Sequence, residues 1–209
     1  MELTTWLTFF AASWAISISP GPGAIASMSA GLNHGFRYGY VTVFGLVLGI
    51  WSQLLIVGVG LGALISTSAT AFTVVKWLGV AYLVWLGIAQ WRAPARPMVA
   101  LSDTGEAVSQ RSLILKAWTI NVVNPKGTVF LLAVVPQFIH LSQPLLAQYL
   151  IIGATLAFTD MVVMAGYTAL ASRVLGALKE PSHIRAMNRT FGSLFVLAGS
   201  LLAFFKRAA

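Results

Sequence analysis

Residues 3–32 read LTTWLTFFAASWAISISPGPGAIASMSAGL, an apolar run long enough to cross a bilayer yet interrupted near its centre by Ser19-Pro20-Gly21-Pro22-Gly23. A second run, residues 113–140, reads LILKAWTINVVNPKGTVFLLAVVPQFIH and is interrupted by Asn124-Pro125-Lys126-Gly127. A proline inside a helix removes a backbone donor and frees a carbonyl. Such broken backbone survives at membrane depth only where protein or a water-filled cavity surrounds it. Two breaks at corresponding places in the two halves of a chain are the mark of a secondary transporter.

The sequence around the breaks sets the class. Of 209 residues, 58% are hydrophobic and 9% charged, with a mean hydropathy of +0.84, whereas an ordinary soluble domain is roughly 25% charged. Stretches that can supply the roughly 20 helical residues needed to cross a core of about 30 Å are Leu3 to Leu32, Gly39 to Ile65, Ala71 to Trp91, Leu113 to His140, Leu145 to Ala171 and, the shortest, Arg189 to Phe205. The expected fold is all-α: a polytopic membrane protein of six transmembrane helices. Continuous apolar runs, unlike alternating strands of about 10 residues, exclude an outer-membrane barrel. The N-terminal run has no Lys or Arg ahead of it and prolines where a cleavage site belongs, so it is expected to be retained.

Cysteine is absent, which removes disulfides, thiol chemistry and thiolate metal sites. His34, His140 and His183 are scattered in or beside expected loops, so neither a metal centre nor a cofactor is expected. The net charge of +8 would suggest nucleic acid in a soluble protein, but here its distribution explains it. With loops assigned alternately to two faces, Arg37, Arg92, Arg96, Arg111, Lys116, Arg173, Lys179, Arg185 and Arg189 share one side and Lys76, Lys206 and Arg207 the other. The positive-inside rule makes the richer side cytoplasmic and puts both termini outside.

The one extended polar linker, Arg92 to Arg111, divides the chain into residues 1–91 and 113–209, with 92–112 as a cytoplasmic connection. Each half has three spans, an odd number, so the second half enters the membrane in the opposite direction and forms an inverted repeat with the first. Pro20 and Pro125, 105 residues apart, are the matching breaks, each with a tryptophan upstream, Trp14 and Trp118. Gly45 and Gly49 make a small-xxx-small pattern for close helix packing. Trp77 and Trp91 read as interface anchors, Tyr82 and Trp85 as helix packing, and Lys179 to Arg189 as a solvated loop.

Lys126 and Asp160 are the deep charges, about 13 and 15 residues into their spans. A charge at mid-bilayer costs roughly 2.5–3.5 kcal/mol and normally faces the bundle interior with a partner. They are expected either to pair or to face each other across a cavity, offering opposite charges to a zwitterion. The alternatives are snorkelling for Lys126 and, for Asp160, hydrogen bonds from Thr155, Thr159 or Tyr167. At the first break, Gly21 and Gly23 leave backbone unshielded, and a half-helix beginning near Pro22 would turn its positive end to a carboxylate. Asn124 and Lys126 would serve that purpose from the other half.

These residues together resemble the LysE/RhtB-type amino-acid exporters over nearly the whole chain. The matching pieces are Ser19-Pro20-Gly21-Pro22, Gly35-Phe36-Arg37-Tyr38-Gly39, the Gly45 and Gly49 helix, Lys76-Trp77-Leu78-Gly79-Val80-Ala81-Tyr82-Leu83 with Gly87, and Asn124-Pro125-Lys126-Gly127 leading to Pro136-Gln137-Phe138. The resemblance implies a bacterial cytoplasmic-membrane exporter of amino acids working by exchange with protons, with Asp160 as the acidic residue of the fifth helix and a proton-coupling group. It also implies substrate binding by Ser19, Pro20, Gly21, Pro22, Gly23, Asn124, Pro125 and Lys126. Related groups that move metal ions or reducing equivalents use histidines or paired cysteines that this chain lacks. Asp160 alone as a deep carboxylate argues for a neutral substrate such as threonine, homoserine or a leucine-like amino acid. The expected partners are that substrate, protons and the lipid bilayer, with no nucleic acid, and the sequence leaves room for a homo-oligomer.

Other functions remain open on sequence grounds: export of another small metabolite or cation, a membrane-embedded enzyme, or a structural subunit. An enzyme would need converging acid, base and nucleophile or metal ligands. One deep lysine and one deep aspartate do not supply that set, so no enzyme is expected.

Overall fold

Each proline-containing run folds as two helices, because proline can start a helix but cannot sit inside one without losing a bond. The computed structural model describes residues 2–65, 69–94, 109–140, 142–171 and 180–204. They form α1 (Leu3–Ile18), α2 (Pro22–His34), α3 (Phe36–Ile65), α4 (Ala69–Arg92), α5 (Gln110–Val122), α6 (Pro125–Phe138), α7 (Leu145–Ala169) and α8 (Pro181–Phe204), with no strand among the described residues. The polar linker lies largely outside them, as do Arg96, Arg173, Lys179, Lys206 and Arg207.

By length and apolarity, Phe36–Gly60 of α3 and Leu145–Ala169 qualify as membrane spans, and α5 with α6 qualifies as one span bent by 52°. Helix α1 is apolar but has 16 residues, about 24 Å of rise, too short alone for a core of about 30 Å. Large apolar side chains point outward, among them Leu55 (70% exposed), Val59 (71%) and Leu146 (73%). In water each would forgo about 1.5–3 kcal/mol of burial, a loss that lipid removes.

Helix α3 is the hub, packing on α2, α5, α6 and α7. Its glycines set how closely. A Cβ on Gly49 would stand 2.6 Å from Asn121 Cβ, and one on Gly45 would enter the α5 backbone at Ile114, so the small-residue spacing brings α5 against α3. Helix α2 folds back on α3 through Gly35, whose φ of +85° suits glycine. The two then touch at Gly31 and Gly39, where an added Cβ on Gly39 would meet Gly31 Cα at 2.6 Å. Ser27 fastens the pair, donating to Gly39 O (3.0 Å) and meeting Thr168 Oγ1 of α7 at 2.9 Å. Helix α4 packs on α8 and α6, with Gly87 against Gly192 O.

Two expectations change. Residues 181–189 are the opening turns of α8, not a loop: Ile184 and Asn188 are buried, and Asn188 accepts from Gln90 Nε2 at 2.9 Å. Trp85 is 59% exposed, so it faces outward instead of packing between helices. The second half-helices start at Pro22, as expected, and at Pro125.

Candidate functional site

A proline at position i leaves the carbonyl of residue i−4 without its helical donor, and at membrane depth another group must supply one. Pro22 frees Ile18 O, which accepts from the Tyr167 hydroxyl of α7. Pro125 frees Asn121 O, which accepts from Gln53 Nε2 of α3 at 2.7 Å. Each break is therefore capped by a long helix from the opposite half of the chain. Gln53 was not marked by the sequence. Its amide also reaches Val122 O (3.3 Å), Asn124 O (3.1 Å) and Thr128 Oγ1 (2.9 Å), and Gly127 leaves room for it, since a Cβ there would lie 2.7 Å from Gln53 Oε1.

The two half-helix starts differ in their caps. Asn124 accepts from Lys126 N through its side chain at 3.1 Å, as an N-cap should. At α2 the N-cap is Gly21, which has no side chain to offer. The positive end of α2 is therefore bare on the side where Ser19, Gly21, Gly23 and Ala24 border a cavity.

That cavity, about 90 Å³, is several times the roughly 10–15 Å³ one water requires. Six of the nine residues marked by the sequence line it: Ser19, Gly21, Gly23, Asn124, Lys126 and Asp160. Pro20 and Pro22 shape the break without being walls of the cavity, and Pro125 opens α6. Gln53 and Asn121 add amides, and Ile16, Leu46, Ile50, Phe130, Leu131, Leu156 and Met164 supply an apolar surround. The sequence marked neither amide. A polar residue inside an apolar span was the available signal.

Lys126 does not snorkel. Its Nζ donates to Ser19 O at 2.7 Å and lies 5.7 Å from the Phe195 ring centroid, within cation–π range. Asp160 Oδ2 is buried and accepts no hydrogen bond among the described residues. The three hydroxyls expected near it are committed elsewhere: Thr155 donates to Ile151 O (2.7 Å), Thr159 to Leu156 O (3.1 Å) and Tyr167 to Ile18 O. A hydroxyl has a single proton to give. Lys126 and Asp160 thus share one cavity, the first held by a carbonyl that a stronger acceptor can replace, the second with an acceptor oxygen that has no partner among the described residues. Such a space suits a ligand carrying one anionic and one cationic end. Among the described residues, no group of three or more His, Asp or Glu side chains is placed to hold a metal.

The comparison with known proteins agrees with a membrane carrier. A homoserine/homoserine lactone efflux protein of Salmonella typhimurium is 46% identical over 97% of this chain and 98% of its own. A membrane protein of Vibrio cholerae is 42% identical over 97% and 98%, and a leucine efflux protein of an Enterobacter species is 28% identical over 96% and 95%. No solved structure matches the chain. The model of the LysE type translocators matches residues 14–205, spanning both breaks, Lys126 and Asp160. The chain belongs to the LysE type translocator family and is a transporter, not an enzyme.

Proposed function

We propose that this transporter exports small neutral amino acids of the homoserine, threonine or leucine kind from the cytoplasm by alternating access, in exchange for protons. The observation that carries the reading is the cavity bordered together by the bare α2 N-terminus, Lys126 and Asp160. A substrate carboxylate would take the place of Ser19 O on Lys126 and meet the uncapped N–H groups of α2, since helix N-termini favour anions. The substrate ammonium would face Asp160 Oδ2, and a proton would take that place on the return. The names of the relatives fit a small uncharged side chain in the apolar surround.

The six-span inverted repeat belongs to this reading, with residues 1–91 and 113–209 as halves, 92–112 as the cytoplasmic linker, both termini outside and the inner membrane as location. The packing supports it. Helix α5 lies on α3 as α1 lies on α7, and α6 meets α3 as α2 meets α7. Trp118 Nε1 donates to Ser52 Oγ of α3 and Trp6 Nε1 to Thr155 Oγ1 of α7, both at 3.1 Å. Trp14, the tryptophan nearest the first break, instead sets its ring edgewise on Phe10.

The test is proton-gradient-driven flux of radiolabelled L-homoserine in liposomes containing the purified protein. Lys126→Ala should reduce flux at least about 100-fold, because a substrate carboxylate loses its cation, while the protein still purifies as a folded species. Wild-type flux in that variant would remove Lys126 from the site. The absence of flux for every amino acid in a broad panel would end the export reading itself.

A further inference from the structure

The two breaks are held by different means, and the difference assigns a role to a residue that no motif marks. At the α5–α6 break the carbonyls of Asn121, Val122 and Asn124 and the Lys126 N–H all have side-chain partners from the protein itself. Gln53 Nε2 reaches Asn121 O, Val122 O, Asn124 O and Thr128 Oγ1, its two protons shared among four acceptors. Asn124 caps Lys126 N, and Asn121 Nδ2 ties the same turn to Leu46 O at 2.6 Å. Gln53 is 3% exposed.

At the α1–α2 break the ties are fewer: Ser17 Oγ meets Thr159 Oγ1 at 3.1 Å, and those on the freed carbonyls are exchangeable. Ile18 O has the hydroxyl of a half-buried tyrosine. Ser19 O has the ammonium of Lys126, the group that a bound carboxylate would claim. Beyond the break, α2 is fastened to α3 at Gly31 and Gly39 and through Ser27, and α1 to α7 through Trp6 and Ser17, so rearrangement there falls on the break itself. Hinges are drawn from the segments with the fewest fixed bonds.

We propose that Gln53 is a positioning residue of the carrier. It holds the α5–α6 break as a fixed wall of the substrate cavity, and the bending of the transport cycle takes place at the α1–α2 break when ligand draws Lys126 from Ser19 O. This role rests on the export reading.

The chain has no cysteine, so spin-label pairs can be introduced directly. Leu7→Cys with Leu32→Cys reports the first break and Leu115→Cys with Leu132→Cys the second, all four sites being exposed on their helices. In liposomes that transport L-homoserine, adding it should shift the Leu7–Leu32 distance distribution and leave Leu115–Leu132 narrow and unchanged. A shift at Leu115–Leu132, or none at Leu7–Leu32, in vesicles that do transport would overturn the proposal. Vesicles without transport would instead overturn the export reading, so the two failures are distinct.

Gln53→Leu should broaden Leu115–Leu132 and raise the half-saturating homoserine concentration by at least about tenfold, whereas Tyr167→Phe should slow turnover with half-saturation held within about twofold. Gln53→Asn, which keeps the amide on a shorter arm, provides the same readings if the leucine variant does not fold. A narrow Leu115–Leu132 distribution in the Gln53 variant measured, or equal half-saturation shifts in the Gln53 and Tyr167 variants, would remove Gln53 from this role.

Discussion

Helices α2 and α6 both begin with a proline after a break, though only α6 has a side-chain cap, and they end still more differently. Helix α2 turns sharply at Gly35 and lies back along α3, glycine against glycine. Helix α6 runs to Phe138 and leaves through a loop held from the next helix: Gln148 of α7 accepts from His140 N at 2.8 Å and donates to His140 O at 2.9 Å, with Gln143 O and Pro144 O also in reach. One half-helix is anchored by glycine contacts and a serine, the other, at its far end, by a single amide. A proline start in common therefore does not make equivalent elements, because the residues at the far end of each half-helix decide which neighbour it belongs to.

The largest way to break this comparison is Gly39→Val. Its Cβ would meet Gly31 backbone, which has no flexible end to yield, and overpacking of this kind costs about 1–3 kcal/mol and more where backbone must move. We expect about 3 kcal/mol or more, read as a lowered thermal unfolding midpoint and a poor folded yield in detergent. Gln148→Leu should cost about 1–3 kcal/mol, because it strands the His140 N–H and the loop carbonyls together. Thermal unfolding reads it, and an unchanged midpoint would mean that the loop holds itself. The smallest, Gly35→Ala, puts a side chain at φ +85° with ψ 167°, a region kept almost entirely for glycine, and should cost about 1–2 kcal/mol. If Gly35→Ala proves costlier than Gly39→Val, the turn and not the helix contact is the anchor of α2.

The parts of the site legible in the sequence were those whose anomaly is local. Pro22, Pro125, Lys126 and Asp160 conflict with the apolar residues beside them, so their neighbours alone expose them. Gln53 sits among Trp51, Leu54 and Leu55 as one amide in an apolar helix, and its partners are 68 to 75 positions away, beyond any local pattern. Tyr167 is still further from Ile18. The start of α2 at Pro22, by contrast, was legible locally, since a proline suits the first turn of a helix. The opening of α8 was hidden by charge density, although Pro181 and the recurrence of Ile184, Asn188, Phe191 and Phe195 mark a helix once burial is known.

The bonds that cap the breaks also impose an order in time. When the second break leaves the ribosome, Gln53 has already been made. The first break must wait for Tyr167, 149 residues after Ile18, which at about 5–20 residues per second is roughly 7–30 s of synthesis. For that interval Ile18 O sits in a nascent chain without its final donor. The N-terminal half of this carrier is thus completed by the last third of its own sequence.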